Sequence, residues 1–180
     1  SEPLNDIQKA DLKRKFSRAD QLNIAEQKIY AICWDISQHF RDNFQGKTPF
    51  KGQLVTQTKD AAIRYKNFLD EIGIVTTEVV ISPPDEREGE DSAYAESSDR
   101  VKIFWKKMMD EHGNAKRYDK NIISRFKNLK DPEIIIVVDK LLTGFDVPQN
   151  TVLYLTRKLQ GHSLLQAIAR VNRIYPDKDY

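Results

Sequence analysis

Apolar positions along the chain switch between helical and strand-like spacing, and the switches outline a fold. From Ala19 to Phe44 the residues Leu22, Ala25, Ile29, Ile32, Ile36, Phe40 and Phe44 recur at helical spacing. This predicts one long helix, or two joined ones, ending near Gln45-Gly46. Residues 1–17 before it are polar and read as irregular or loosely helical. GQLVTQ (52–57) reads as a strand after the Pro49 turn region. Thr58 to Gly73 reads as a helix with Thr58 as N-cap, Ala62, Tyr65, Leu69 and Ile72 as its apolar stripe, and Gly73 as C-cap. IVTTEVVI (74–81) is rich in β-branched residues and reads as a second strand.

The second half continues the alternation. Residues 82–99, SPPDEREGEDSAYAESSD, carry little apolar content and predict an acidic loop or disordered insert. Val101, Trp105 and Met108 mark a helix ending near Gly113, and Ile122, Phe126 and Leu129 mark another from about Asn114 to Leu129. Lys130-Asp131-Pro132 breaks it. Ile134 to Val138 is apolar throughout, as expected of a central parallel strand covered on both faces. Thr151 to Thr156 is another strand, and Ser163 is the expected N-cap of a last helix. Strands alternating with helices predict an α/β protein with a doubly wound parallel sheet flanked by helices. The expected organisation is an N-terminal helical extension or linker (1–48) and a sheet domain (49–180) bearing the insert at 82–99.

Composition adds bounds. The 180 residues suit about one domain, with 39% hydrophobic and 31% charged residues, enough to bury a core. No apolar run approaches the roughly 18 residues of a membrane span, and the polar N-terminus has no signal-peptide pattern. A single cysteine, Cys33, allows no disulfide framework and fits a reducing, cytoplasmic setting. His39, His112 and His162 are scattered, so no metal site is expected. The net charge of +2 hides an asymmetry: residues 78–99 hold eight acids and one base, net −7, so the remaining 158 residues carry +9. A basic body is compatible with nucleic-acid binding, as it is with an ordinary solvated surface.

Candidate chemistry gathers between Ile134 and Arg173. Ligands of open α/β sheets bind beyond the carboxyl ends of the strands, where Asp139 to Pro148 is expected. Gly144 permits close backbone approach. Asp146 can accept hydrogen bonds from hydroxyls such as those of a ribose, or cap a turn before Pro148. At ~100° per residue, Gln166, Arg170 and Arg173 fall on one side of the last helix, with Leu164, Ile168 and Val171 packing behind. Two arginines held away from the core suit a phosphate, although screened surface pairs also produce such spacing. Thr56, Gln57 and Thr58 follow the first strand at the same edge and can meet a nucleic-acid backbone, with Lys140 a further candidate. Thr58 equally suits helix capping.

LLTGFDVPQNTVLYLTRKLQGHSLLQAIARVNR resembles motifs V and VI of the superfamily 2 helicases and translocases, and most closely the motor (R) subunit of type I restriction enzymes. The resemblance is specific over about 133–175, fold-level over about 50–132, and says little about 1–45. It implies the second RecA-like (P-loop NTPase-type) lobe of an ATP-dependent double-stranded DNA translocase. Gly144 and Asp146 would then touch the nucleotide, Val138 to Lys140 would lie nearer the nucleic acid, and Thr143 could serve either. Gln166 opens the Q-x-x-x-R-x-x-R pattern whose Arg170 and Arg173 would point across a cleft at ATP with Mg2+ held mainly by a first lobe. Thr56 to Thr58 resemble motif IV, and YDKNIISRFKN resembles the helix before the motif V strand. The implied partners are double-stranded DNA, a first RecA-like lobe and a nuclease domain of the same polypeptide, and methyltransferase and specificity subunits.

No G-x-x-x-x-G-K-[ST] phosphate loop or Walker B-type acidic box occurs in the sequence. The expectation is half a motor: a fragment of a longer polypeptide, inactive alone, whose arginines act on a phosphate held elsewhere. Two alternatives remain open from sequence, the second lobe of another superfamily 2 DNA helicase or remodeller and a non-catalytic nucleic-acid-binding lobe.

Overall fold

The computed structural model describes residues 5–46, 50–84, 92–138, 146–159 and 161–173, with the side chains of 92–98, 163 and 170 outside the description. The elements are α1 (Asp6–Ala19), α2 (Ile24–Asn43), β1 (Lys51–Val55), α3 (Lys59–Ile72), β2 (Thr77–Val80), α4 (Ser92–His112), α5 (Ala115–Asn128), β3 (Ile134–Val137), β4 (Asn150–Leu155) and α6 (Gly161–Val171). The strands form one sheet in the order β2-β3-β1-β4, with every pairing parallel. This is the α/β class expected of a RecA-like lobe.

Alternation along each strand sends side chains to two cores. Leu54, Ile134, Ile136, Val79 and Ile81 meet Tyr30, Cys33, Trp34 and Phe40 of α2 and Tyr65, Phe68 and Leu69 of α3 on one face. Val55, Ile135, Val137 and Val80 meet Met108 of α4, Tyr118, Ile122 and Phe126 of α5 and Ala167 of α6 on the other. The chain moves from β1 past β3 to β2 over the first face, then reverses to β3 over the second. Crossovers that keep one hand must change face when they change direction. Gly52 sits where α2 lies flush on the sheet: a Cβ there would come within 3.2 Å of Ile134 and Val152 and 3.3 Å of Phe40.

Several boundaries depart from the sequence reading. The N-terminal segment is a regular helix, α1, begun by an Asn5/Gln8 capping box. The long helix does not start at Ala19. It begins after Asn23, whose side chain accepts from the Glu26 amide while Glu26 reaches back. Arg18 pairs with Glu71 of α3 and Arg41 with Asp11, tying α1 to its neighbours. The acidic segment expected as a loop over 82–99 is already helical from Ser92, and residues 85–91 lie outside the described set. Ser163 is inside α6, which starts two residues earlier, at Gly161. Among the described side chains of α6 the buried one is Ala167, 1% exposed, whereas Ile168, expected in its apolar stripe, is 44% exposed. One small residue suffices because the helix lies at the margin of the sheet, against edge strand β4.

At the amino-terminal edge of the strands Lys51 is 2% exposed. Its ammonium donates to the carbonyl oxygens of Leu129, Lys130 and Pro132 at 2.6–2.7 Å, closing the turn between α5 and β3. Burial lowers its pKa to about 8, opposed by Asp131 and Glu133.

Candidate functional site

The carboxyl ends of β1, β3 and β4 are laced together. The Thr56 amide donates to the Val137 carbonyl at 2.9 Å, and its hydroxyl reaches the Val137 and Thr58 carbonyls at 3.3 Å each. Thr156 returns both its amide and its hydroxyl to the Val55 carbonyl, at 3.1 and 2.9 Å. Arg157 then spans the end of β1 to donate from Nη2 to the Val138 carbonyl at 3.1 Å. Lys59 at the start of α3 ties this edge to the segment after β2 through the Pro83 carbonyl.

Past the end of α6 the two parts of the C-terminal motif meet. Asp146, whose side chain is 65% exposed, pairs with the guanidinium of Arg173, 34% exposed, across 27 positions of sequence. Arg173 is not on the helix face on which it was expected. It lies two residues past the end of α6, which stops at Val171, and the short segment after the helix lets it turn back to Asp146. Gln166 is on α6, half-buried, with its amide against His162 one turn earlier. Arg170 is on α6. Lys140, Thr143 and Gly144 lie outside the described residues.

The three candidates after β1 occupy different environments. Thr56 is fully buried, with its hydroxyl spent on strand ends. Gln57 is exposed. Thr58 is the N-cap of α3, accepting from the Ala61 amide at 3.0 Å, which leaves its hydroxyl proton free to donate outward. Thr156 and Arg157 also belong to this edge. Sequence reasoning passed over them, although a hydroxyl and a cation directly after a strand were the available signal. Among the described residues, no group of three or more His, Cys, Asp or Glu is arranged to hold a metal ion, and no helix is long and apolar enough to cross a membrane.

The arrangement offers one carboxylate and one guanidinium side by side just past the end of α6. Such a pair suits a ligand carrying both hydroxyls and phosphates. Comparisons with known proteins agree with the resemblance read in the motifs. Over 163 residues the chain is 33% identical to the putative type I restriction enzyme MjaVIIP endonuclease subunit of Methanocaldococcus jannaschii, covering 85% of this chain and 14% of that protein. It is 30% identical to the MjaIXP subunit of the same organism over 94% of this chain and 15% of that protein. A 71-residue stretch is 44% identical to the type I restriction enzyme HindI endonuclease subunit of Haemophilus influenzae, covering 39% of this chain and 7% of that protein. The chain thus spans about one-seventh of the length of the first two relatives. A family model for type I restriction enzyme subunit R domain 3 matches residues 48–180, and the chain belongs to that family.

Proposed function

We propose that this chain is the second RecA-like lobe of the motor of a type I restriction enzyme, working on duplex DNA with ATP and Mg2+. The observation that carries the reading is the contact between Asp146 and Arg173. It joins the acid of GFDVP to the last arginine of QAIARVNR, which the sequence separates by 27 positions. The donor set fits a nucleotide: Asp146 presents carboxylate oxygens to ribose hydroxyls, and Arg173 a planar, permanently charged donor to phosphate. Arg170 and Arg173 are the catalytic candidates, and Gly144 and Gln166 the nucleotide-binding ones.

ATP, held mainly by a first lobe, supplies the transferable phosphoryl group. The part of this chain is to place guanidinium charge where negative charge develops. Asp146 holds Arg173 at the wall until phosphate oxygens take over its donors. Gln57 and Thr58 meet the DNA backbone without reading bases, and Thr56 holds their loop to β3 instead of touching DNA. Lys140 and Thr143 are further candidates for such a contact. Cleavage belongs to a nuclease domain elsewhere in the polypeptide, and the choice of site to partner subunits.

The test is DNA-stimulated ATP hydrolysis by the complete subunit. Arg170→Ala and Arg173→Ala should each lower it by about 10³-fold or more, the range of arginine fingers. Wild-type turnover in either variant would reject the motor reading. A nucleotide analogue that cross-links elsewhere, with no label near Asp146, would favour a non-catalytic lobe.

A further inference from the structure

We propose that the outer face of α5, continued by two lysines of α4, is a second duplex-DNA contact that grips phosphates along the flank of the lobe. This rests on the DNA-motor reading and extends it to a surface away from the strand ends.

The observation is an imbalance in pairing. Several cations of the other helices have carboxylate partners: Arg18 with Glu71, Arg41 with Asp11, Arg64 and Arg100 with Asp60, Lys66 with Asp70 and Glu78. On α5, Lys116, Arg117, Lys120 and Lys127 are exposed, and no carboxylate among the described residues pairs with them. Lys106 and Lys107 of α4 are exposed in the same way. Residues 106–130 hold eight Lys or Arg against three acids, a net +5 in a chain whose total is +2. Of those acids Asp119 is half-buried, and Asp110 and Glu111 lie in the last turn of α4, so α5 exposes cations without an exposed acid. The fifth cation of that helix, Arg125, pairs with Glu78 of β2.

The rest of the face is also made of donors. Ser124 accepts from Asn128 at 3.4 Å and keeps its hydroxyl proton for a ligand. A surface rich in N–H and O–H groups, with no exposed carboxylate on α5, selects a polyanion with many oxygen acceptors, which describes a phosphate backbone. The dimensions suit a duplex. Lys116 to Lys127 spans about 16 Å of helix, more than the ~12 Å width of the DNA major groove, so the end cations reach phosphates on both strands. The face is held rigidly. Tyr118, Ile122 and Phe126 are buried beneath it, and the Tyr118 hydroxyl donates to the Val79 carbonyl of β2. The stripe begins level with the carboxyl end of β2, where Tyr118 meets Ile81, and runs toward the opposite edge, where Lys127 lines the cavity beside Lys51.

The experiment uses the complete protein with Lys116→Gln, Lys120→Gln and Lys127→Gln combined, and a duplex of random sequence as probe. Binding is measured as a function of salt. Each lost phosphate contact should flatten the slope of log K against log salt by about 0.9, so the triple variant should lose between about one and three such steps. The matching triple arginine variant should restore the slope. A wild-type slope in the glutamine variant overturns the proposal. So does an unchanged slope accompanied by loss of a co-purifying subunit, which would make the face a protein interface. The two readings fail separately: undiminished ATPase in Arg173→Ala rejects the motor, and an undiminished salt slope here rejects this face.

Discussion

Lys51 shows how a single residue can combine burial with charge. Its three N–H groups are matched by three carbonyls, so the ammonium is satisfied although it is shut off from water. With its folded pKa at about 8 and an ordinary value of 10.5, the unfolded chain binds the extra proton between those values. Stability from this group therefore rises with pH across that window. Cys33 and Tyr118 act with the opposite sign. Burial pushes both upward, so above their ordinary values the unfolded chain ionises first and stability falls. Lys51→Met should accordingly show a deficit relative to the parent that widens from pH 8 to pH 10, by up to about 1.4 kcal/mol per unit. Denaturant unfolding at a series of pH values measures it, and a constant deficit would show that the charge is not what matters. If the proposed nucleotide site is right, Asp146→Asn should release Arg173 and weaken nucleotide affinity, read by titrating a fluorescent ATP analogue into the complete subunit. Nothing in one sequence foretells the Lys51 site, because its partners are backbone oxygens some 80 positions away. The Asp146 and Arg173 contact was different: the motif named both residues, and the fold supplied only the path between them.

Helix ends decided where the sequence was easy to read and where it was not. Thr58 and Gly73 bracket α3 as their chemistry predicts, with Gly73 in the left-handed region at φ 70°. The break before α2 went unseen for a physical reason. Leu22 and Ala25 keep the apolar period running straight through the cap, so the periodicity hides it, while the Asn23-x-x-Glu26 box states it. Asn23→Ala should cost about 1 kcal/mol, visible as a lowered thermal midpoint, and no shift would mean α2 is fixed by packing alone. Gly52→Ala should cost more, about 1–3 kcal/mol, because the added methyl meets side chains from β3, β4 and α2 at once. The misreading of α6 has a similar source: a periodicity argument assumes a helix buries half its surface, and a marginal helix buries less.

At the scale of the molecule, the family match begins at residue 48, but the core does not. Tyr30, Cys33, Trp34, Ile36 and Phe40 of α2 are all buried against the sheet or α3. At about 1.5–3 kcal/mol for each large apolar side chain, their removal forfeits roughly 10 kcal/mol, comparable to the whole stability of a domain. A polypeptide of residues 48–180 alone should therefore lose cooperative unfolding in calorimetry, whereas one retaining α2 should keep it. The alternation of elements and the parallel sheet were legible because strand and helix periods differ so clearly. The attachment of α2 was not, since an amphipathic helix does not say which surface it will cover.

The lacing of the strand ends bears on mechanics. Thr56, Thr156 and Arg157 join three strands by bonds that run across the sheet, at right angles to the chain. A sheet edge cross-braced in this way resists shear, because sliding one strand past its neighbour must break several bonds together instead of one at a time. Load arriving at one end of the edge is then delivered to the other with little loss in between, and the stiffness lies in three residues.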